Sequence, residues 1–255
     1  MKLRTIVVSV VVCSLLVGTQ AFAHNTVLGP TGLILNPTAG VMGRGQYSVQ
    51  AGYYREKPTF FKLRGWNLNV ATGIADRLEL AVGLQDVKAT ATPGGTFFDM
   101  AAVSGGLKYQ VHQESGGAPA MAVGVQMSNV AKQGGAYLVW SKTLTAKNGG
   151  GGKEENDWRV HAGVRYDAVD SRRSVATGSD ENKVTVFGGI EAPVANRLRF
   201  MGEFNQRHKA LLTSPFSATL HYGASENTHV FAGIARIGVS SETGWVVGIN
   251  HAFGK

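Results

Sequence analysis

The chain has 255 residues, a formal net charge of +8 and only 16% charged residues, well short of the share usual in soluble domains. Its 34 glycines follow no three-residue period, which excludes a collagen-like rod, and its single cysteine excludes a disulfide scaffold. The basic balance suits anionic lipid or polysaccharide, or simple solvation, and no motif marks a nucleic-acid partner.

Lys2 and Arg4 precede an apolar run from Ile6 to Val17, and Ala21-Phe22-Ala23 supplies a small-x-small cleavage site. This predicts a secretory signal peptide over residues 1–23. The run is about a dozen residues, short of the roughly 20 that a spanning helix needs. Cys13 lies within it, behind Val12, which argues against lipidation. Removal near Ala23 leaves roughly 230 residues, enough for one domain. No later window is apolar enough for a spanning helix, so any membrane crossing must use strands.

Residues 24–45 are irregular and rich in glycine and proline, and predict a periplasmic or lumen-plugging segment. Leu33, Ile34 and Leu35 need shelter there, in a lumen or against a rim. Residues 46–255 then alternate. Tyr47, Val49, Ala51 and Tyr53 oppose Gln46, Ser48, Gln50 and Gly52; Trp66, Leu68 and Val70 oppose Asn67, Asn69 and Ala71. The cleanest copy follows the turn Asp76-Arg77, with Leu78, Leu80, Val82 and Leu84 on one face and Glu79, Ala81, Gly83 and Gln85 on the other. Asn196-Arg197-Leu198 opens a second copy and Asp157-Trp158 a looser third. About twelve strands are predicted, with turns recurring every 32 to 42 residues or so. Leu138-Val139-Trp140 breaks the alternation in the sixth, and the eleventh, from Val230 to Gly238, cannot be phased. Loops are expected near residues 55–61, 88–97 and 169–182, and a glycine-rich one near 146–156.

The second face carries Gly, Ala, Ser, Asn and Gln rather than Lys and Glu, which suits a crowded or water-lined lumen. Aromatic residues gather near strand ends, as in interfacial girdles. The expected fold is therefore all-β: an antiparallel up-and-down transmembrane β-barrel of about 12 strands, with a soluble β-domain as the competitor. The last strand, Trp245-x-Val247-x-Ile249-x-His251-x-Phe253, is of the kind that barrel-assembly machinery reads, although Gly254 and Lys255 follow it.

The inward set so phased comprises Glu79, Lys108, Arg159, His161, Arg165, Glu191, Arg199, Glu203 and His221, with Arg236 as a further candidate. These residues either buttress a filled interior through ion pairs or line a pore that slightly favours anions. Arg55, Lys57, Arg172, Arg173, Arg207 and Lys209 are candidate contacts for lipopolysaccharide phosphates, with a solvated basic rim as the alternative. Some outer-membrane barrels are hydrolases that use Ser and His. The strand histidines here are His161, His221 and His251, with Ser217 and Thr219 on the face of His221. Residues two apart on a strand are about 6.6 Å apart, too far for backbone-fixed contact. No enzyme, metal or cofactor is expected.

Thr31, Gly32, Leu33, Ile34, Pro37, Thr38 and Ala39 match a Gly-x-Thr-Gly-Leu-Ile-x-x-Pro-Thr-Ala pattern. This stretch resembles the opening of YjbH-type outer-membrane barrels, a family associated with exopolysaccharide loci, and the Asp76-Arg77 and Asn196-Arg197 turns are similar to theirs. The resemblance covers a dozen residues and the recurring turns, in a chain shorter than the multi-module members. It implies an outer-membrane location and a link to polysaccharide export, and supplies no catalytic residues. The expected function is a passive channel or an envelope component. A structural barrel with a blocked lumen is the alternative, and a lipid hydrolase stands behind it. The expected partners are outer-membrane lipid and lipopolysaccharide, the assembly machinery, and polysaccharide or small solutes.

Overall fold

The computed structural model describes residues 24–26, 29–57, 61–91, 95–115, 117–129, 133–144, 157–169, 181–208, 211–238 and 240–254. The expected signal peptide and the glycine-rich stretch 146–156 lie outside them. The strands are β1 (Tyr47–Glu56), β2 (Phe61–Ala75), β3 (Leu78–Ala91), β4 (Thr96–His112), β5 (Ala120–Ser128) and β6 (Gln133–Leu144), then β7 (Trp158–Val169), β8 (Glu181–Ala195), β9 (Leu198–Asn205), β10 (Phe216–Gly223), β11 (Thr228–Arg236) and β12 (Gly244–Phe253). Each pairs with its neighbours in sequence, and β12 returns antiparallel to β1, from Tyr47↔Phe253 to Arg55↔Trp245. Closure leaves no strand edge unpaired.

Alternation sets the two faces of this wall. Leu80, Val82, Leu84, Val103, Leu107, Val123 and Val125 are exposed on the outside. Glu79, Ala81, Gln85, Ala102, Lys108, Ala122 and Gln126 are buried inside. A contiguous apolar exterior around a polar interior inverts the arrangement of a soluble barrel and matches a barrel seated in lipid.

The structure phases the two ambiguous strands. In β6, Tyr137 and Val139 are buried inside while Leu144 is exposed; in β11, His229, Phe231 and Ala235 are buried while Val230 and Ile234 are exposed. Arg236 shares the outward parity of Ile234, so its assignment to the lumen is corrected. It lies over the Phe216 ring at 4.9 Å and donates from Nε to the Ser214 carbonyl.

The β2, β3 and β4 strands run to 15, 14 and 17 residues, longer than expected. Residues 88–91 and 96–97 of one expected loop, and 55–56 and 61 of the other, are therefore strand. Pairs such as Arg64↔Lys88 and Gly65↔Val87 extend the ladder, because no glycine pair or proline stops it before Pro93-Gly94. Arg55 and Glu56 belong to β1. At the other end of the barrel, residues 76–77, 196–197 and 224–227 make short connections.

The buried apolar groups lie within the barrel rather than outside it, because residues 24–26 and 29–42 pass through its interior, with residues 43–45 exposed before β1. Ile34 packs against Phe231, Ala235 and Val246; Ala39 against Ala120, Ala122, Tyr137, Val139 and Phe187; Met42 against Ala71 and Ala81. Gly189 has no room for a side chain because Leu33 lies against it.

Candidate functional site

Two carboxylates hold the interior segment from opposite walls. Glu79 opens β3 just after the Asp76-Arg77 turn, and its parity points it inward. Its cross-strand partner is Lys108 of β4, and both side chains are 0% exposed. Their charged atoms are 3.4 Å apart. Thr31 completes the pair. Its backbone N–H donates to Glu79 Oε1 at 2.8 Å and its hydroxyl to Oε2 at 2.6 Å, while Lys108 Nζ donates to the Thr31 carbonyl at 2.8 Å. The Met42 N–H adds a further bond to Glu79 Oε2 at 3.0 Å. The carboxylate thus accepts bonds from both ends of the 31–42 stretch. An ion pair this deep is tolerable only when the remaining lone pairs and protons are satisfied, which Thr31 and Met42 accomplish.

Glu203 on β9 does the same from the far side, since β9 and β3 are half the ring apart. The backbone N–H groups of Leu35 and Asn36 donate to its two oxygens at 2.8 and 2.9 Å, the Asn36 amide adds a bond at 2.8 Å, and the Ser217 hydroxyl adds one at 2.6 Å. Consecutive amides converging on an anion form the concave donor surface characteristic of backbone anion sites.

A third contact forms a chain along the wall. The Ala39 N–H donates to Ser141 Oγ at 2.9 Å, Ser141 Oγ meets His161 Nδ1 at 2.8 Å, and His161 Nε2 meets Glu191 Oε1 at 3.1 Å. Glu191 Oε2 lies 3.7 Å from Arg199, which donates to the Asp157 carbonyl at 2.8 Å. Gln110 holds the Ala39 carbonyl at 2.8 Å. Arg159, the register partner of Glu191, lines with His161, Glu191 and Arg199 a cavity of about 280 Å³ at the short-turn end.

The first residues are also tied to the wall. Ser48 Oγ donates to Asn25 Oδ1 at 2.6 Å, and Asn69 Nδ2 donates to the Thr26 carbonyl at 2.9 Å. The buried His24 ring faces His221 at 4.4 Å and His229 at 5.1 Å between centroids. Its pKa lies well below the usual value, through burial first and then the neighbouring His221, His229 and Arg199.

Glu79, Lys108, His161, Glu191, Arg199, Glu203 and His221 are all buried inside the barrel. Arg165, nearer the other end, donates to Asp167 at 2.7 Å and lies 6.0 Å from the Phe187 ring. Strand spacing keeps Thr219 and His221 too far apart for backbone-fixed contact, yet Thr219 Oγ1 reaches His221 Nε2 at 2.9 Å. Side chains leaning along the strand close the gap that the backbone leaves. Among the basic candidates, Arg55 lies on β1, Lys57 is exposed just beyond it, and Arg207 is exposed with its guanidinium on the Leu212 carbonyl. Arg172, Arg173 and Lys209 lie outside the described residues. Asn36, Ser141 and Gln110 carry no sequence motif of their own, and Thr31 stands out only within the Thr31–Ala39 pattern. The apolar trio Leu33-Leu35, which must be sheltered somewhere, is the one sequence signal that the neighbouring Asn36 lies inside.

No family model and no curated protein matches the chain. Among solved structures it is similar to the KdgM porin, with a TM-score of 0.54 and 13% identity over 81% of this chain and 100% of that one. It is also similar to the NanC porin, with a TM-score of 0.56 and 13% identity over 80% and 98%. The fold is that of an outer-membrane β-barrel. At such identity the likeness extends to architecture and stops there. The interior contacts rest on this chain's own residues.

Proposed function

We propose that this protein is an outer-membrane conduit held shut by its own residues 24–42, and that it serves the cell envelope in exopolysaccharide export. The observation that carries this reading is the two-sided latch. Glu79 and Glu203 grip one strap from opposite walls through hydrogen bonds alone. Such contacts hold firmly where they are shielded from bulk solvent, yet they can be exchanged for water or for the hydroxyls of a sugar chain.

The wall beyond the latch favours the same reading. Asn67, Ser104, Gln126 and Asn205 carry buried polar atoms without a protein partner, and buried polar atoms of this kind require water. A barrel built only as a buttress would fill that space with apolar side chains. The stretch that resembles YjbH-type barrels, Thr31 to Ala39, is also the stretch that the latches hold, which gives that pattern a physical role. One solved structure sharing the fold, at a TM-score of 0.51, is the KdgM porin in complex with disordered oligogalacturonate.

Conductance across a planar bilayer tests the proposal. The wild-type barrel is expected to be nearly silent. Glu79→Gln combined with Glu203→Gln, in protein that still shows heat-modifiable gel mobility, is expected to open stepwise conductance. A folded double variant as silent as the wild type would overturn the gated reading in favour of a filled structural barrel.

The second reading, a hydrolase, rests on the Ser141–His161–Glu191 chain, which has the connectivity of a nucleophile, base and carboxylate. Ser141 Oγ already accepts the Ala39 amide, so it acts as part of the latch. Fluorophosphonate labelling decides between the two: no label is expected, and a label lost in Ser141→Ala would establish the enzyme.

A further inference from the structure

Three cations stand side by side on the bilayer face of the wall. The register sets Arg55 of β1 opposite Arg64 of β2, and Arg64 opposite Lys88 of β3. Each shares the outward parity of the exposed residues on its own strand, such as Trp66 on β2 and Leu84 on β3. Neighbouring strands are roughly 4.8 Å apart, so the row is about 10 Å wide. Like charges directly opposite one another across a ladder repel. Lys88 has a carboxylate partner, Asp99, at 2.6 Å. Arg55 and Arg64 form no ion pair among the described residues. Lys62 continues the cationic face one outward position further along β2.

The depth of the row follows from the residues beneath it. One outward position towards the middle of the barrel, the register sets Tyr53 opposite Trp66 and Trp66 opposite Asp86. The Trp66 indole donates to Asp86 Oδ2 at 2.9 Å, and Tyr53 meets the Trp245 ring at 5.2 Å. Aromatic side chains at this position mark the boundary between hydrocarbon and headgroups. The cations above them are therefore at headgroup depth. The two-residue turns 76–77 and 196–197 lie at the opposite end, which also carries the connection 145–157; such tight turns mark the periplasmic end in barrels of this kind, so the row faces outward.

We propose that Arg55, Arg64 and Lys88 form a binding site for the phosphate group of a phosphorylated glycolipid of the outer leaflet, the lipid A part of lipopolysaccharide. Two guanidinium forks and an ammonium supply charge-assisted hydrogen bonds of the right planar geometry for a phosphate. The anion removes the repulsion that the register otherwise imposes. The aromatic shelf meets the acyl chains and sugar below. Asp99 moderates Lys88 and leaves the two arginines as the principal contacts.

The test uses the full chain, refolded into detergent free of lipopolysaccharide and titrated with fluorescent lipid A. Arg64→Gln is expected to weaken binding about tenfold, the loss of one charge-assisted contact. Arg64→Lys is expected to retain most of it, and Arg44→Gln, exposed at the opposite end of the barrel, to bind like the wild type. In the absence of lipid A, Arg64→Gln is expected to raise the unfolding temperature, because repulsion is relieved. Should that variant not insert, binding by the wild type must fall steeply as salt rises from low to physiological strength. Equal binding by wild type and Arg64→Gln, or binding indifferent to salt, would overturn the site. Equally effective competition by phosphatidylglycerol vesicles would overturn the assignment to glycolipid.

Discussion

Lys108 is a fully buried charge that, among the described residues, Glu79 and the Thr31 oxygens alone compensate. Removing one member of such a pair leaves the other charge buried alone, which costs about 3–5 kcal/mol, whereas replacing both with apolar groups of similar volume is close to neutral. Lys108→Met is therefore expected to lower stability by an amount in that range, and Glu79→Gln with Lys108→Met, which keeps an oxygen to accept the bonds from Thr31 and Met42, to recover part of it. Urea unfolding in detergent, followed by tryptophan fluorescence, measures both. Losses that simply add in the double variant would mean that the two residues act independently and that the latch is not a unit.

Glu114 shows the same economy at the rim, in the connection between β4 and β5. It accepts bonds from the Thr143 N–H at 3.0 Å and hydroxyl at 2.8 Å, and pairs with Lys142 at 3.0 Å. Burial pushes its carboxyl up, but the hydrogen bonds from Lys142 and Thr143 outweigh that and hold it below the usual carboxylate range. A depressed pKa means that the contact contributes fully above the ordinary carboxylate value and is lost only as the pH falls through the lower folded one. Hydrogen exchange at the Thr143 amide is expected to stay slow through the ordinary carboxylate range and to speed up only below it, relative to intrinsic exchange. In Glu114→Gln that added pH dependence should vanish; if it persists, another group governs the turn.

Among the elements, the tight turns between β2 and β3 and between β8 and β9 are built alike. Arg77 and Arg197 have φ of 67° and 61°, left-handed values that a side chain disfavours. Each follows a register shift in the preceding strand, between Gly73 and Ala75 and between Pro193 and Ala195. The two carbonyls accept backbone bonds from Gln110 and Gly223, both at 2.8 Å. These turns thus fix where the next hairpin begins. At position 77 the order of stability is expected to be Gly, then Arg, then Val, with Arg77→Val costing about 1 kcal/mol. Thermal unfolding that ranks Val with Gly would show that the turn relaxes away from its left-handed form.

Strands with one polar face were readable in the sequence, and the unreadable ones had a common cause. In β3 the inward side carries Glu79 and Gln85, so period two stands out. In β6 and β11 the inward side is apolar as well, because Val139 meets Ala39 and Phe231 meets Ile34. Contact with the interior strap erases the contrast on which phasing depends. The lumen charges could be phased because alternation assigns them a face. Their pairing could not, because Ser141, His161 and Glu191 come together through cross-strand register, which alternation does not encode. The strap's backbone amides carry no side-chain signature at all, and they make the bonds to Glu203.

For the whole molecule, the decisive feature is the inverted wall, and Val82 is the place to test it. Its side chain is 47% exposed, in a row with Val70 of β2 and Gly105 of β4 near the middle of the barrel. If this surface met water, an arginine there would be close to neutral, since exposed strand positions tolerate polar residues and lose only about half a kcal/mol or less. If it meets hydrocarbon, the guanidinium must leave the bilayer midplane by bending to the interface, and the cost rises to about 2–4 kcal/mol. Closer to the headgroups the same change costs less, so Tyr222→Arg, near a short turn, is expected to cost less than Val82→Arg. Reversible urea unfolding in thin bilayers reads both. A steep depth dependence between the two positions follows only from lipid contact. Equal, small losses at both would make the exterior a water-facing surface, and would require another partner to cover the belt from Leu80 to Val125.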